Sequence, residues 1–221
     1  MKLKNITLAA AMLTTFGLST AAIAGTQAIL TVTGSITPPS CDISFDGGGA
    51  LDFGEINPEL LSADKSTSLG TKSTKLNVSC DSPTLFALKS TDVAEKAGEA
   101  LINGKNAGVN FSLGATNGGK LIGAYHINTT APGTQVDGAA AAGFAYSANN
   151  AQTWTKGAEH SWENSGTELM AVANGTDIKP IAAKNVSFGM SVTPYISPAS
   201  DLGSTDDITL AGNATFDLVY L

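Results

Sequence analysis

Cys41 and Cys80 are the two cysteines of the chain, and their chemistry depends on where the protein resides. They can pair as a disulfide, contribute to a metal site or stay free as thiols. His126 and His160, the two histidines, lie far apart in sequence. In His160-Ser161-Trp162-Glu163 an imidazole sits three residues from a carboxylate, the composition of an acid–base pair, but within a polar stretch that reads as a surface loop. Asp42, Asp46, Asp52 and the Asp206-Asp207 pair could touch a cation. They lack the alternating spacing of a calcium loop, so solvated turns are expected. Trp154 and Trp162 fall in the same polar stretch and could stack on a sugar ring. No nucleophile elbow, phosphate loop or His/Cys cluster occurs. Neither catalysis nor a cofactor is therefore expected.

The first residues decide the cysteine chemistry. Lys2 and Lys4 open the chain, an apolar run follows from Ile6 to Phe16, and Ala22-Ile23-Ala24 supplies the small-x-small pattern of signal cleavage. The run is interrupted and too short to span a bilayer. Cleavage after Ala24 leaves 197 of the 221 residues and moves the formal charge from −7 to −9, because two lysines leave. No later segment has transmembrane length, so an exported protein without membrane insertion is expected. In an oxidising compartment two cysteines pair. A Cys41–Cys80 bond closes a loop of roughly 40 residues, which the chain-entropy account values at about 4 kcal/mol. Two ligands are too few for a metal site.

Composition narrows the partners. All 12 basic residues are lysines against 19 acidic ones, so the chain lacks the arginine used to neutralise phosphates and read guanine. Nucleic acid is not an expected partner. An apolar content of 43% is too high for a disordered chain.

The elements that must carry these residues are strands. Period-two alternation recurs, and no window of helical length shows 3.6-residue spacing. Strand-like runs cover Ala28–Thr37, Lys75–Cys80, Thr84–Ser90, Val109–Gly114, Leu121–Asn128, Asn185–Tyr195 and Ile208–Leu221. Gly/Asn turns separate them, among them Asp46-Gly47-Gly48-Gly49, Asn117-Gly118-Gly119 and Asn174-Gly175. This pattern predicts an all-β sandwich. Ala139–Ala142 and Ala148–Gly166 read as long loops or an insertion, and Asp92–Ala100 as one helical turn.

The chain ends hold the strongest patterns. Ala28, Leu30, Val32, Gly34 and Ile36 share one face of the first run, which Pro38-Pro39 ends just before Cys41. Ile208, Leu210, Gly212, Ala214, Phe216, Leu218 and Tyr220 alternate to the terminus. Terminal segments are usually polar and unattached. These two are written as strands with a face to bury.

Four features in order resemble the chaperone–usher fimbrial subunits, in a less-studied fimbrial-like branch. They are the glycine-centred Val32-Thr33-Gly34-Ser35-Ile36 before the first cysteine and Leu51-Asp52-Phe53-Gly54-Glu55-Ile56 after it. Leu76-Asn77-Val78-Ser79 then leads into Cys80, and a penultimate Tyr220 closes the chain. The matches lie in the outer thirds, and residues 86–181 match only as generic β. The mature chain is longer than a typical rod pilin, and Gly212 lies closer to the terminus than the corresponding family glycine.

The resemblance implies an immunoglobulin-like β-sandwich over residues 38–221 that lacks its last strand and is completed by a donated one. Residues 25–37 are then the donor extension, with Ala28, Leu30, Val32, Gly34 and Ile36 facing the groove. Ile208, Leu210, Phe216, Leu218 and Tyr220 form the acceptor edge and chaperone contact. The implied partners are neighbouring subunits, a periplasmic chaperone and an outer-membrane usher, and the implied location is the cell surface. Strand addition of this kind takes affinity from ladder bonds and register from alternate side chains. Burying four apolar donor side chains is worth about 6–12 kcal/mol gross. A tip adhesin that binds a glycan through Trp154 and Trp162 is the alternative expectation.

Overall fold

The computed structural model describes residues 28–99, 102, 107–176, 178–203 and 207–221. The expected signal peptide, residues 25–27 of the donor extension and Asp206 lie outside them. Tertiary contacts divide the chain between Thr37 and Pro38. Residues 28–37 carry no strand, helix or turn, and Leu30, Val32 and Ile36 are exposed. The first strand-like run is therefore not a strand in the single chain. Among the described residues its backbone pairs with no strand, and alternation alone cannot hold a strand.

The second unit is all-β. Its first strands are β1 (Cys41–Phe45), β2 (Thr67–Ser68), β3 (Lys72–Thr84), β4 (Phe86–Asp92) and β5 (Phe111–Ser112). β6 (Gly123–Thr130), β7 (Gln135–Val136), β8 (Ala139–Ala140), β9 (Gly143–Ser147) and β10 (Thr155–Gly157) follow. The last are β11 (Glu159–Ser161), β12 (Leu169–Ala173), β13 (Ala183–Ile196) and β14 (Ala214–Tyr220), with one helical turn, α1 (Ala199–Leu202), between the final two.

Two antiparallel sheets form. One runs β1-β3-β13-β6-β11, with the short β2, β5, β7 and β8 attached beside it; the other runs β10-β9-β12-β4-β14. The centre of the first is β13 against β3, held from Val186↔Val78 to Val192↔Lys72. β13 alternates buried and part-exposed residues along most of its length, the signature of a strand with one face on a core. Leu76, Val78, Phe188, Met190 and Ile127 from the first sheet meet Phe86, Leu88, Phe144, Met170 and Val172 from the second in one core. These sheets make a β-sandwich, the architecture expected from the turn and strand spacing.

Four local expectations change. Ile208–Leu221 is a strand only from Ala214 onward. Residues 207–213 instead lie across the first sheet, where the Ala211 amide donates to the Leu113 carbonyl. Ala139–Ala142 contains β8 and Ala148–Gly166 contains β10 and β11 rather than loops alone, and two neighbouring strands, β9 and β12, are not among the strand-like runs of the sequence. β12 is buried at all five positions, so it shows no alternation to detect. Residues 94–99 make hydrogen-bonded turns rather than a helical one: Ala97 to Ala94 and Glu99 to Lys96.

Candidate functional site

Cys41 and Cys80 face each other across β1 and β3, and the residues are bonded as a disulfide with Cα atoms 4.0 Å apart. The expected staple is therefore cross-strand. β1 is an edge strand whose ladder among the described residues is with β3, and the bond fixes its outer end to the sheet.

β14 is the edge of the other sheet. It pairs with β4 from Ala214↔Asp92 to Tyr220↔Phe86, and among the described residues no strand pairs with its opposite side. The two edges approach at one end. The Cys41 amide donates to the Tyr220 hydroxyl at 3.0 Å, and the Phe45 and Phe216 rings meet edge-to-face at 5.4 Å. Beyond Phe45 they part, and a groove of about 1220 Å³ opens between the sheets.

Each surface of the groove has a distinct origin. The floor is Tyr125 and Ile127 of β6 with Met190, Val192 and Ile196 of β13. One wall is the strand-free run 49–61, which contributes Leu51, Phe53, Ile56 and Leu61. The other wall is Ile208, Leu210, Gly212, Ala214 and Phe216. This wall lies close to the sheet because Gly212 has no side chain: a Cβ there would stand 2.7 Å from Tyr125 Cε1 and 3.2 Å from Leu113 Cδ2. Tyr125 in turn stacks on Phe111 at 5.3 Å. Burial, and secondarily the charge of Asp92, push its hydroxyl pKa up, so it stays protonated. Asp52, Glu55 and Asp207 lie among the lining residues, so acidic groups accompany the apolar side chains of the groove.

Of the expected acceptor residues, Ile208, Leu210 and Phe216 line this groove. Leu218 packs into the main core beyond it, and Tyr220 bonds across its closed end. The wall 49–61 was not foreseen as part of the site. Its signal was the Leu51-Asp52-Phe53-Gly54-Glu55-Ile56 run, which entered only as part of the resemblance. The donor residues Ala28, Leu30, Val32, Gly34 and Ile36 belong to the separate unit and are exposed there.

The aromatic and carboxylate candidates fall elsewhere. Trp162 is 1% exposed, a correction to its expected place in a surface loop. It packs edge-on against Phe216 at 5.0 Å and Phe188 at 6.5 Å, so no sugar can stack on it. The sequence around it is polar because β11 is a short edge strand whose alternate residues face solvent. Trp154 is half-buried with Ala151 and Val219 against Ala87, Leu169 and Ala171, on a small cluster apart from the main core.

His160 is also buried, not in a loop. It stacks on Tyr146 at 4.8 Å and places Nε2 3.4 Å from Glu168 Oε1. Burial lowers the His160 pKa to about 4. Burial first, and then Glu163, raise that of Glu168 to about 7. Both groups thus favour their neutral forms. Asp46 accepts from Asn77 Nδ2 at 2.7 Å and Asp52 from the Gly54 amide at 2.8 Å, so these carboxylates organise turns. Among the described residues no group of three or more His, Cys, Asp or Glu is placed to hold a metal ion. No described helix is long and apolar enough to cross a membrane.

The sequence is similar to two Escherichia coli proteins and, in part, to one family. Protein GltF of Escherichia coli (strain K12) is 28% identical over 99% of this chain and 98% of its own length. The uncharacterized protein YhcF of the same organism is 24% identical over 82% of this chain and 85% of its own. Residues 30–126, which include Val32–Ile36, both cysteines and the wall 49–61, match the family described as protein of unknown function (DUF1120).

Proposed function

We propose that the chain is a structural subunit of a bacterial surface fibre in which the groove beside β14 receives the residue 28–37 segment of a neighbouring subunit. The observation that carries this reading is the groove itself. A sandwich whose terminal strand has no described neighbour on one side, next to a groove of about 1220 Å³ lined by many apolar side chains, offers the place that an added strand would fill. An exposed edge of this kind promotes aggregation unless something covers it. A segment with Leu30, Val32 and Ile36 on one face offers a cover of matching chemistry, since every second side chain enters and the backbone completes the ladder. In the cell, a periplasmic chaperone would occupy the groove first and an outer-membrane usher would oversee the exchange. The fibre would support adhesion.

Deleting residues 25–33 tests this. Full-length and truncated protein are purified from the periplasm and run unboiled on a denaturing gel. Full-length protein is expected to give heat-sensitive ladders or a stoichiometric complex with a chaperone, and truncation to abolish the ladders. Monomers in both forms, with no bound chaperone, overturn the reading.

A further inference from the structure

The wall 49–61 is held in an unusual way for a surface that must meet a strand. It belongs to neither sheet, and between Asp46 and Ser62 its backbone bonds among the described residues are internal. Leu60 and Leu61 bond back to Asn57 and Pro58, and Asn57 caps Glu59. Its ends are tied: Asp46 to Asn77 at 2.7 Å, and the Ser62 carbonyl to the Ala199 amide at 3.0 Å. Midway, one side chain reaches it from the sheet. Lys72 Nζ donates to the Asp52 carbonyl and stands 5.1 Å from the centre of the Phe53 ring. Lys72 opens β3 and pairs with Val192, a floor residue, so the tie runs from the base of the groove to its wall.

We propose that Lys72 is the positioning residue of this wall, holding Leu51, Phe53 and Ile56 at the spacing an inserted strand needs. A carbonyl fixes the backbone between Leu51 and Phe53, and the ammonium over the ring sets which way Phe53 faces. The Asp52 carboxylate meanwhile accepts from the Gly54 amide, at a glycine whose φ of +71° turns the chain toward Glu55 and Ile56. Without Lys72 the middle of the wall keeps its local turn bonds and apolar contacts but loses its tie to the sheet, and loops of that kind open locally at low free-energy cost. A binding site that must first be ordered loses affinity by the fraction of time it is unformed.

This inference rests on the groove reading, so its experiment separates the two. Full-length wild type, Lys72→Met and Lys72→Arg are compared in two measurements. Hydrogen exchange of the residue 50–56 amides reports the wall alone. Dissociation of a fluorescent synthetic peptide of residues 28–37 reports strand capture. Met keeps the apolar stem but removes donor and charge. It is expected to raise exchange at 50–56 and speed peptide release by about tenfold, at unchanged melting temperature, while Arg restores both. Wild-type exchange in Lys72→Met overturns the role of Lys72, as does raised exchange with unchanged release. A wild type that captures no peptide overturns the groove reading, and this inference with it.

Discussion

The hydroxyl of Tyr220 accepts the Cys41 amide at 3.0 Å, joining the last strand to the first across 179 residues. Cys41 is itself bonded to Cys80, so β14, β1 and β3 are linked at one point, the closed end of the groove. The bond also satisfies an amide on an edge strand. Tyr220→Phe removes it and keeps the ring. Because the site is half exposed, water replaces part of the loss, and a decrease of about 0.5–1 kcal/mol in urea unfolding is expected. An unchanged midpoint would show that the contact is incidental.

Removing the disulfide acts mainly on the unfolded chain. The Cys41→Ser, Cys80→Ser double variant is expected to lose about 2–4 kcal/mol, with reduction of the wild type producing a similar shift. Denaturant midpoints with and without reductant compare the two. A double variant as stable as the oxidised protein would mean that the β1–β3 ladder alone secures this end.

Gly212 is where the wall formed by residues 207–213 touches the sheet. Gly212→Val brings a Cβ to within 2.7 Å of Tyr125 and 3.2 Å of Leu113, both held in the core. The wall must lift or Tyr125 must turn, at an expected cost of about 1–3 kcal/mol. The same substitution at Gly34, where nothing lies within 4 Å, involves no such contact. Thermal melts of the Gly212 and Gly34 variants side by side test the difference.

His160 and Glu168 predict a compensated pH dependence. The His160 pKa drops from 6.5 to about 4 on folding, so its contribution to stability is lost as pH falls from 6.5 toward 4. The Glu168 pKa rises from 4.5 to about 7, so its contribution is lost as pH rises from 4.5 toward 7. Between pH 4.5 and 6.5 the two slopes oppose each other. Glu168→Gln leaves only the histidine slope, so stability of the variant should climb from pH 4 to 6.5 while that of the wild type stays nearly level. Melting temperatures across that range check it; parallel curves would exclude the coupling.

Trp154 is predicted to be structural. It covers Ala87, Leu169 and Ala171, and Trp154→Ala should cost about 2–4 kcal/mol given its partial exposure. Urea unfolding measures it, and a neutral substitution would return the residue to the pool of exposed aromatic contacts.

Strands that bury one face were legible in the sequence. β13 and β3 alternate, and their positions follow from counting every second residue. β12 was not legible: five consecutive buried residues carry no period. The polar stretch around His160-Ser161-Trp162-Glu163 misled for the opposite reason. On the short edge strand β11 the exposed Glu159 and Ser161 outweigh the single buried His160, and Trp162 follows beyond the strand end. The groove was half legible. Ile208, Leu210 and Phe216 stood out by alternation, whereas the floor residues Met190 and Ile127 look like any other core residue.

The sequence by itself determined that the chain is all-β, that Cys41 and Cys80 pair, and that both ends carry apolar alternation, because these depend on local period and residue type. Tertiary structure alone decided that Trp162 and His160 are buried, that residues 207–213 leave the strand to become a wall, and that a lysine from β3 holds the wall opposite. Those outcomes depend on which segments meet across the sandwich, and a periodicity read along one strand contains no information about its neighbours across the core.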